Sequence, residues 1–171
     1  MSAKNQRIRV EAYSGQGYGT LRYNLFRSAE QHIEKSIQEG YFCEAIAIIE
    51  SVITDRLESR LSYLKRTNVG FQNLGPAISS LPGCETDAGI IGILSDLDEW
   101  RKKRNTALHE LVKIEAGKPK SEWVERIRSL SSTATEGYEL LKKLYHGIAD
   151  LNPLHVSRAF KQSTKAQQLA T

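Results

Sequence analysis

Three residues with chemically useful side chains, Arg104, Asn105 and His109, stand close together in the stretch 96–112. An imidazole, whose unperturbed pKa is about 6.5, can accept or donate a proton at neutral pH. A guanidinium offers forked donors that match the oxygens of a phosphate and the charge that develops during phosphoryl transfer. The residue types therefore suit chemistry at a phosphate ester. They also suit a surface arginine on a basic helix and a histidine that only packs.

The spacing of the three residues matters because their surroundings predict a helix. Apolar residues recur at intervals of three and four on both sides, at Leu94, Leu97, Leu108 and Leu111. On an ideal helix Asn105 and His109, four apart, share a face. Arg104 and His109, five apart, are rotated by about 140°. A single chain therefore brings this arginine to the histidine only if its side chain swings round or the helix bends.

The order Arg104-Asn105, three further residues and His109 resembles the Arg-polar-x3-to-5-His signature of the HEPN superfamily of small helical proteins. Two other stretches are similar to the family. Residues 40–45 open a long apolar helix that resembles its second helix. Residues 71–80, FQNLGPAISS, resemble the short Leu-Gly turn that often precedes its motif helix. The resemblance covers roughly residues 22–150.

Many HEPN proteins are metal-independent endoribonucleases, often toxins or phage-defence effectors, that act as dimers with Arg and His lining a cleft between subunits. The resemblance implies that Arg104, Asn105 and His109 are catalytic, that RNA is the substrate, that no metal or cofactor is needed and that the chain forms a homodimer. A site built from two chains could also pair the arginine of one chain with the histidine of the other, although the two diverge on one helix. A cognate antitoxin or regulatory protein is a further expected partner. One subgroup carries a tyrosine two residues after the histidine and is silenced by nucleotide transfer onto it; Leu111 stands there, so that regulation is not implied.

A non-catalytic alternative stays open, because some HEPN relatives only bind nucleic acid, nucleotides or partner proteins and a fold does not decide function. A third hypothesis is that the chain is a helical protein whose match to the motif is accidental.

Two glutamates interrupt the apolar second helix, Glu44 and Glu50. A carboxylate on a buried helix needs a partner, and Arg104 would serve. We expect Glu50, which lies deeper in the helix, to orient Arg104; the alternative is that either carboxylate simply faces water.

A run of cations precedes the motif, Arg101, Lys102 and Lys103, and continues into Arg104. Arg101 and Arg104, three apart, can converge on one phosphate. We predict that the run contributes to RNA binding, the alternative being a solvated helix face.

The composition fits one soluble domain. The chain has 171 residues, 40% hydrophobic and 26% charged, with a net charge of +4. This mild basicity permits a polyanionic partner without demanding one. Cys43 and Cys84 have neither a disulfide framework nor zinc spacing. The lack of a membrane-spanning run or a signal-peptide core leads us to expect a cytoplasmic protein with no membrane partner.

The apolar periodicity predicts an all-α antiparallel bundle of four to five helices. Its HEPN-like domain is expected at 21–151, after a flexible or extended arm at 1–20 and before a basic tail at 152–171. The predicted helices cover 21–39, 41–65, the motif segment after the cap Asp87, and a long helix after the cap Ser121, with a short turn at 74–81. The first helix has a stripe at Leu25, Ala29, Ile33 and Ile37, and the last has one beginning at Trp123. The weak helix formers at 131–135 predict a bend in the last helix.

Overall fold

The computed structural model describes residues 18–67, 69–114 and 122–151, and every regular element in these ranges is a helix. The all-α prediction is therefore confirmed. In chain order the elements are α1 (Tyr18–Glu39), α2 (Phe42–Lys65), α3 (Leu74–Ser80), α4 (Ala88–Glu110), α5 (Trp123–Ser129) and α6 (Ser131–Leu151). The predicted N-terminal arm, apart from its last residues 18–20, and the basic tail lie outside the described residues.

A tight turn at Gly40 reverses the chain between α1 and α2. Gly40 has φ +83°, a left-handed conformation that glycine adopts without a Cβ penalty. The backbone N–H of Tyr41 donates to the carbonyl of Ser36 at 2.7 Å, and that of Gly40 donates to Ile37. These bonds satisfy carbonyls at the end of α1, so the two helices form an antiparallel pair.

The core lies around α2, which packs on α1, α3, α5 and α6, while α4 packs on α6 and α3. Its largest fully buried side chains are Trp100, Ile33, Ile46, Ile49, Ile53, Leu57, Leu61, Leu74, Leu81, Ile90, Leu97 and Leu130. The predicted α1 stripe is wrong at its first position, because Leu25 is 62% exposed. Phe26, the next residue, packs against the core instead.

A buried ion pair ties α2 to the loop that precedes α4. The Arg60 guanidinium donates to both carboxylate oxygens of Glu85, at 2.7 and 3.0 Å, and the Glu85 side chain is fully buried. Glu85 also accepts from the backbone N–H groups of Thr86 and Asp87. The bond from Arg60 is the main reason why the pKa of Glu85 is lowered. The sequence gives no local signal for this pair, whose members are 25 residues apart.

The last predicted helix is in fact two helices, α5 and α6, separated at Leu130. The N–H of Leu130 donates to Ile127, three residues back instead of four, which closes α5. Leu130 is fully buried, and the weak helix formers Ser131, Ser132 and Thr133 follow it. The predicted cap Ser121 lies outside the described residues, and Glu122 stands at the N-cap, its N–H donating to the side chain of Glu125 at 3.3 Å.

Trp123 was predicted to begin the buried stripe of this segment, and that prediction is wrong. Trp123 is 57% exposed, and the neighbouring Val124 is 55% exposed. The break at Leu130 accounts for the difference, because α5 does not continue the face that α6 buries. In the described part of the chain, no helix combines the length and apolar character needed to cross a bilayer.

Candidate functional site

The motif residues lie in the last third of α4, whose position is fixed at its start and at its middle. Asp87 caps the helix, its side chain accepting from the N–H of Ile90 at 2.9 Å. Trp100 is fully buried, and its indole N–H donates to the carbonyl of Thr133 at 2.8 Å. A Cβ at Gly137 would lie 2.5 Å from Cζ2 of this ring, so α4 and α6 approach closely because residue 137 is glycine.

Arg104 is held against α2. Its Nη2 donates to Oε1 of Glu50 on α2 at 2.5 Å, and the side chains are 12% and 31% exposed. The guanidinium carbon lies 5.9 Å from the centre of the Trp100 ring. The Nε atom is buried and has no hydrogen-bond partner within the described ranges. The predicted contact between Glu50 and Arg104 is therefore present, whereas Glu44, the other candidate, bonds to His32 at 2.7 Å in an exposed pair.

His109 and Asn105 are held much less firmly. His109 is exposed and Asn105 is half-buried, and neither side chain makes a hydrogen bond or ion pair with another described residue. Because α4 is helical up to Glu110, Asn105 and His109 share a face and Arg104 is rotated away from His109. One chain thus places the arginine against α2 and the histidine in solvent, and does not bring them together.

The end of α4 is held by a residue that the sequence analysis did not single out, Arg126 on α5. Its Nη1 donates to the carbonyls of Glu110, Leu111 and Lys113, at 3.1, 2.9 and 2.7 Å. A cation at the carboxyl end of a helix satisfies open carbonyls and opposes the helix dipole. This contact fixes the turn that follows His109. In the sequence, Arg126 is simply an arginine in a short amphipathic stretch, and such arginines are too common to predict this contact.

The three cations predicted to bind RNA are engaged with carboxylates. Asp98 bonds to Arg101 and to Lys102, each at 2.7 Å, and Lys103 bonds to Glu136 at 2.8 Å. The bond from Lys102, followed by that from Arg101, lowers the pKa of Asp98, and the bond to Glu136 raises the pKa of Lys103. These pairs are solvent-accessible and weak, so they do not prevent a phosphate from competing.

Exposed apolar side chains surround the open end of α4. Val112 and Ile114 are 77% and 83% exposed, and Trp123 and Val124 on α5 are also mostly exposed. The contacts of Arg126 place the start of α5 beside the end of α4. Exposed apolar side chains therefore follow the end of α4 and begin α5, and the described residues leave them uncovered.

Over the described ranges, no group of three or more His, Cys, Asp or Glu side chains is arranged to hold a metal ion. No protein-family model, curated protein or solved structure matches the chain. The HEPN resemblance therefore stays a prediction from the motif and its two flanking stretches.

Proposed function

We propose that the protein is a HEPN-like, metal-independent endoribonuclease of the toxin or phage-defence type, active in the cytoplasm as a homodimer. In the reaction, the ribose 2′-oxygen attacks the phosphorus and the bond to the 5′-oxygen breaks. His109 accepts the proton of the 2′-hydroxyl or donates one to the leaving oxygen. Arg104 stabilises the charge that develops on the phosphoryl oxygens, and Asn105 orients His109 or bonds to the phosphate.

The observation that carries the proposal is the arginine held on α2. An arginine that acts on a transition state needs a fixed orientation, and a carboxylate bonded to one nitrogen supplies it while other N–H groups remain. Glu50 bonds to Nη2, and Nε is enclosed, so the remaining Nη protons are the ones that could meet a phosphate.

A second copy of the chain completes this proposed site. Arg104 and His109 diverge on α4, so a shared cleft would pair the arginine of one protomer with the histidine of the other. The exposed apolar side chains that follow α4 and begin α5, at Val112, Ile114, Trp123 and Val124, suit burial at such an interface.

The experiment is cleavage of a labelled RNA by pure protein in EDTA, with a DNA of the same sequence alongside. Cleavage of RNA alone is expected, because the reaction needs a 2′-hydroxyl. His109→Ala should abolish it, and His146→Ala, an exposed histidine on α6, should not. Mixing inactive His109→Ala with inactive Arg104→Ala should restore activity if one site uses residues from two protomers. RNA cleavage that survives His109→Ala, or that EDTA removes, contradicts the proposal.

One observation favours a second candidate, a non-catalytic module that binds RNA or a protein. Arg104 is bonded to Glu50, and all three preceding cations are in ion pairs. This candidate predicts RNA or protein binding without cleavage, and equal binding by the native protein and His109→Ala.

A further inference from the structure

An open groove of about 650 Å³ runs between α1, α2 and the segment that enters α3. Leu25 on α1 and Phe71 before α3 both line it, and these side chains are 62% and 58% exposed. Phe26, Ala29 and Leu74 add further apolar lining. Exposed leucine and phenylalanine on two different walls of one groove offer apolar surface that an incoming apolar side chain can bury.

The charge of the groove is opposite to that of the chain. Its lining includes three carboxylates, Glu50, Asp55 and Glu58, and one guanidinium, Arg22, whereas the whole chain carries +4. The three acids stand on α2 at positions that share a broad face. Asp55 is paired with Arg22, Glu58 accepts from Gln72 and Glu50 is bonded to Arg104 through one oxygen, so the second oxygen of Glu50 is the group of the lining that favours a cation.

The groove is already shaped, because ion pairs and hydrogen bonds hold its walls. Arg22 on α1 donates to both oxygens of Asp55, at 2.6 and 2.5 Å, and to Ser59 at 2.6 Å. Glu58 accepts from the N–H of Gln72 at 2.5 Å, which attaches the segment carrying Phe71 to α2. A ligand would thus meet walls that need little ordering, which lowers the cost of binding.

Glu50 connects the groove to α4. Its side chain lines the groove and is 31% exposed, and Oε1 is bonded to Arg104. No other donor from the described residues is bonded to this carboxylate. A cation that enters the groove would therefore find one carboxylate oxygen available, and it would compete with Arg104 for the same negative charge.

We propose that this groove binds a short amphipathic segment of a partner protein, with its apolar side chain between Leu25 and Phe71 and a lysine or arginine against Glu50. The apolar walls select a peptide over a simple polyamine, and the acidic lining selects a basic peptide over RNA. The cation of the peptide and Arg104 compete for the Glu50 carboxylate, so binding of the peptide weakens the Glu50–Arg104 ion pair and that pair weakens binding. The docking does not depend on the proposed nuclease activity.

The test is selection of a displayed random-peptide library against the full chain, followed by affinity measurements on the enriched peptides. We expect sequences with Lys or Arg beside Leu or an aromatic residue. Leu25→Ser and Phe71→Ser should each weaken binding by about tenfold, since each removes a large apolar contact. Ile91→Ser on α4, also an exposed apolar residue, should change it less than about twofold. These positions are exposed, so the variants should fold.

Two charge variants test the coupling. Glu50→Gln should weaken binding of the basic peptides by about tenfold, whereas Glu44→Gln, outside the groove on the same helix, should not. Arg104→Gln should strengthen binding several-fold, because Glu50 loses its competing partner. No enrichment, acidic consensus peptides, or peptides indifferent to Leu25→Ser and Phe71→Ser would overturn the proposal. Protection of the groove by an RNA oligonucleotide instead of a peptide would overturn it in favour of a nucleobase site.

Discussion

Replacing Glu50 with glutamine removes the charge that holds Arg104 and leaves the shape of the side chain almost unchanged. A hydrogen bond to a charged group contributes about 1.5–3 kcal/mol, and loss of one partner of a fully buried pair costs about 3–5 kcal/mol. The exposed fractions here, 12% for Arg104 and 31% for Glu50, place the pair between the buried and the surface case. We therefore expect Glu50→Gln to lower the free energy of unfolding by about 1–2 kcal/mol.

The assay is urea unfolding followed by circular dichroism, with Glu44→Gln as the matched control. Glu44 is the same residue type on the same helix, and its 52% exposed side chain pairs with an exposed histidine, so its loss should change stability by less than about 0.5 kcal/mol. A double-mutant cycle with Arg104→Met isolates the pair and should give a coupling of about 1 kcal/mol. Equal effects of Glu50→Gln and Glu44→Gln would refute the reasoning.

The same variant tests the role of Glu50 in the proposed nuclease. If Glu50 orients Arg104, activity measured well below the unfolding temperature should fall by more than the loss of folded protein explains. Loss of activity and stability in equal proportion would show that Glu50 only supports the fold.

Three further predictions concern the helices that position the motif. Gly137→Ala should lower the free energy of unfolding, measured by heat or urea, by about 1–3 kcal/mol because its Cβ would meet the Trp100 ring. The control Gly92→Ala, with open space around it in α4, should raise that free energy by about 0.5–1 kcal/mol. An unchanged stability of Gly137→Ala would show that α4 and α6 can separate. Glu85 has a lowered pKa, so its stabilising contribution is present above the unfolded pKa near 4.5 and is lost as the pH falls through the folded pKa. Stability of the native chain should therefore fall more steeply below about pH 4.5 than that of Glu85→Gln, and parallel curves would contradict this. Arg56, stacked 3.8 Å from Phe26 and 4.4 Å from Tyr145, should not be replaceable by lysine without a loss of about 1 kcal/mol, measured by urea unfolding.

Much of the fold follows from local patterns. The periodicity of α1 and α2, the turn at Gly40 and the cap at Asp87 are short-range features, and the structure has helices within a few residues of the predicted bounds. The weak helix formers at 131–135 indicated a bend in the last helix, but the full break at Leu130 was not predicted because it depends on burying that side chain against other helices. A helical pattern on one segment cannot report such a requirement.

The site could be predicted only where a residue had one obvious partner. Glu50 was a carboxylate on an apolar helix, and the need for a cation made its contact with Arg104 a reasonable prediction. The clamp of Arg126 on the end of α4 and the acidic groove arise from pairs far apart in sequence, such as Arg22 with Asp55. Ordinary surface residues form these pairs, so no pattern marks them in advance.

The rigid placement of α4 decides which form of the nuclease proposal can be correct. Arg104 and His109 are rotated by about 140° on this regular helix, so only a bend or local unwinding of α4 would turn both to one side. The Trp100–Gly137 packing, the cap at Asp87 and the bonds of Arg126 at the helix end oppose such a change. We therefore expect a site that uses both side chains to receive one of them from a second chain. Cleavage by a strictly monomeric protein that still required both residues would mean that α4 bends near His109, which the bonds of Arg126 oppose. Failure of the His109→Ala and Arg104→Ala mixture to recover activity, with both single variants folded and dimeric, would instead favour the binding module.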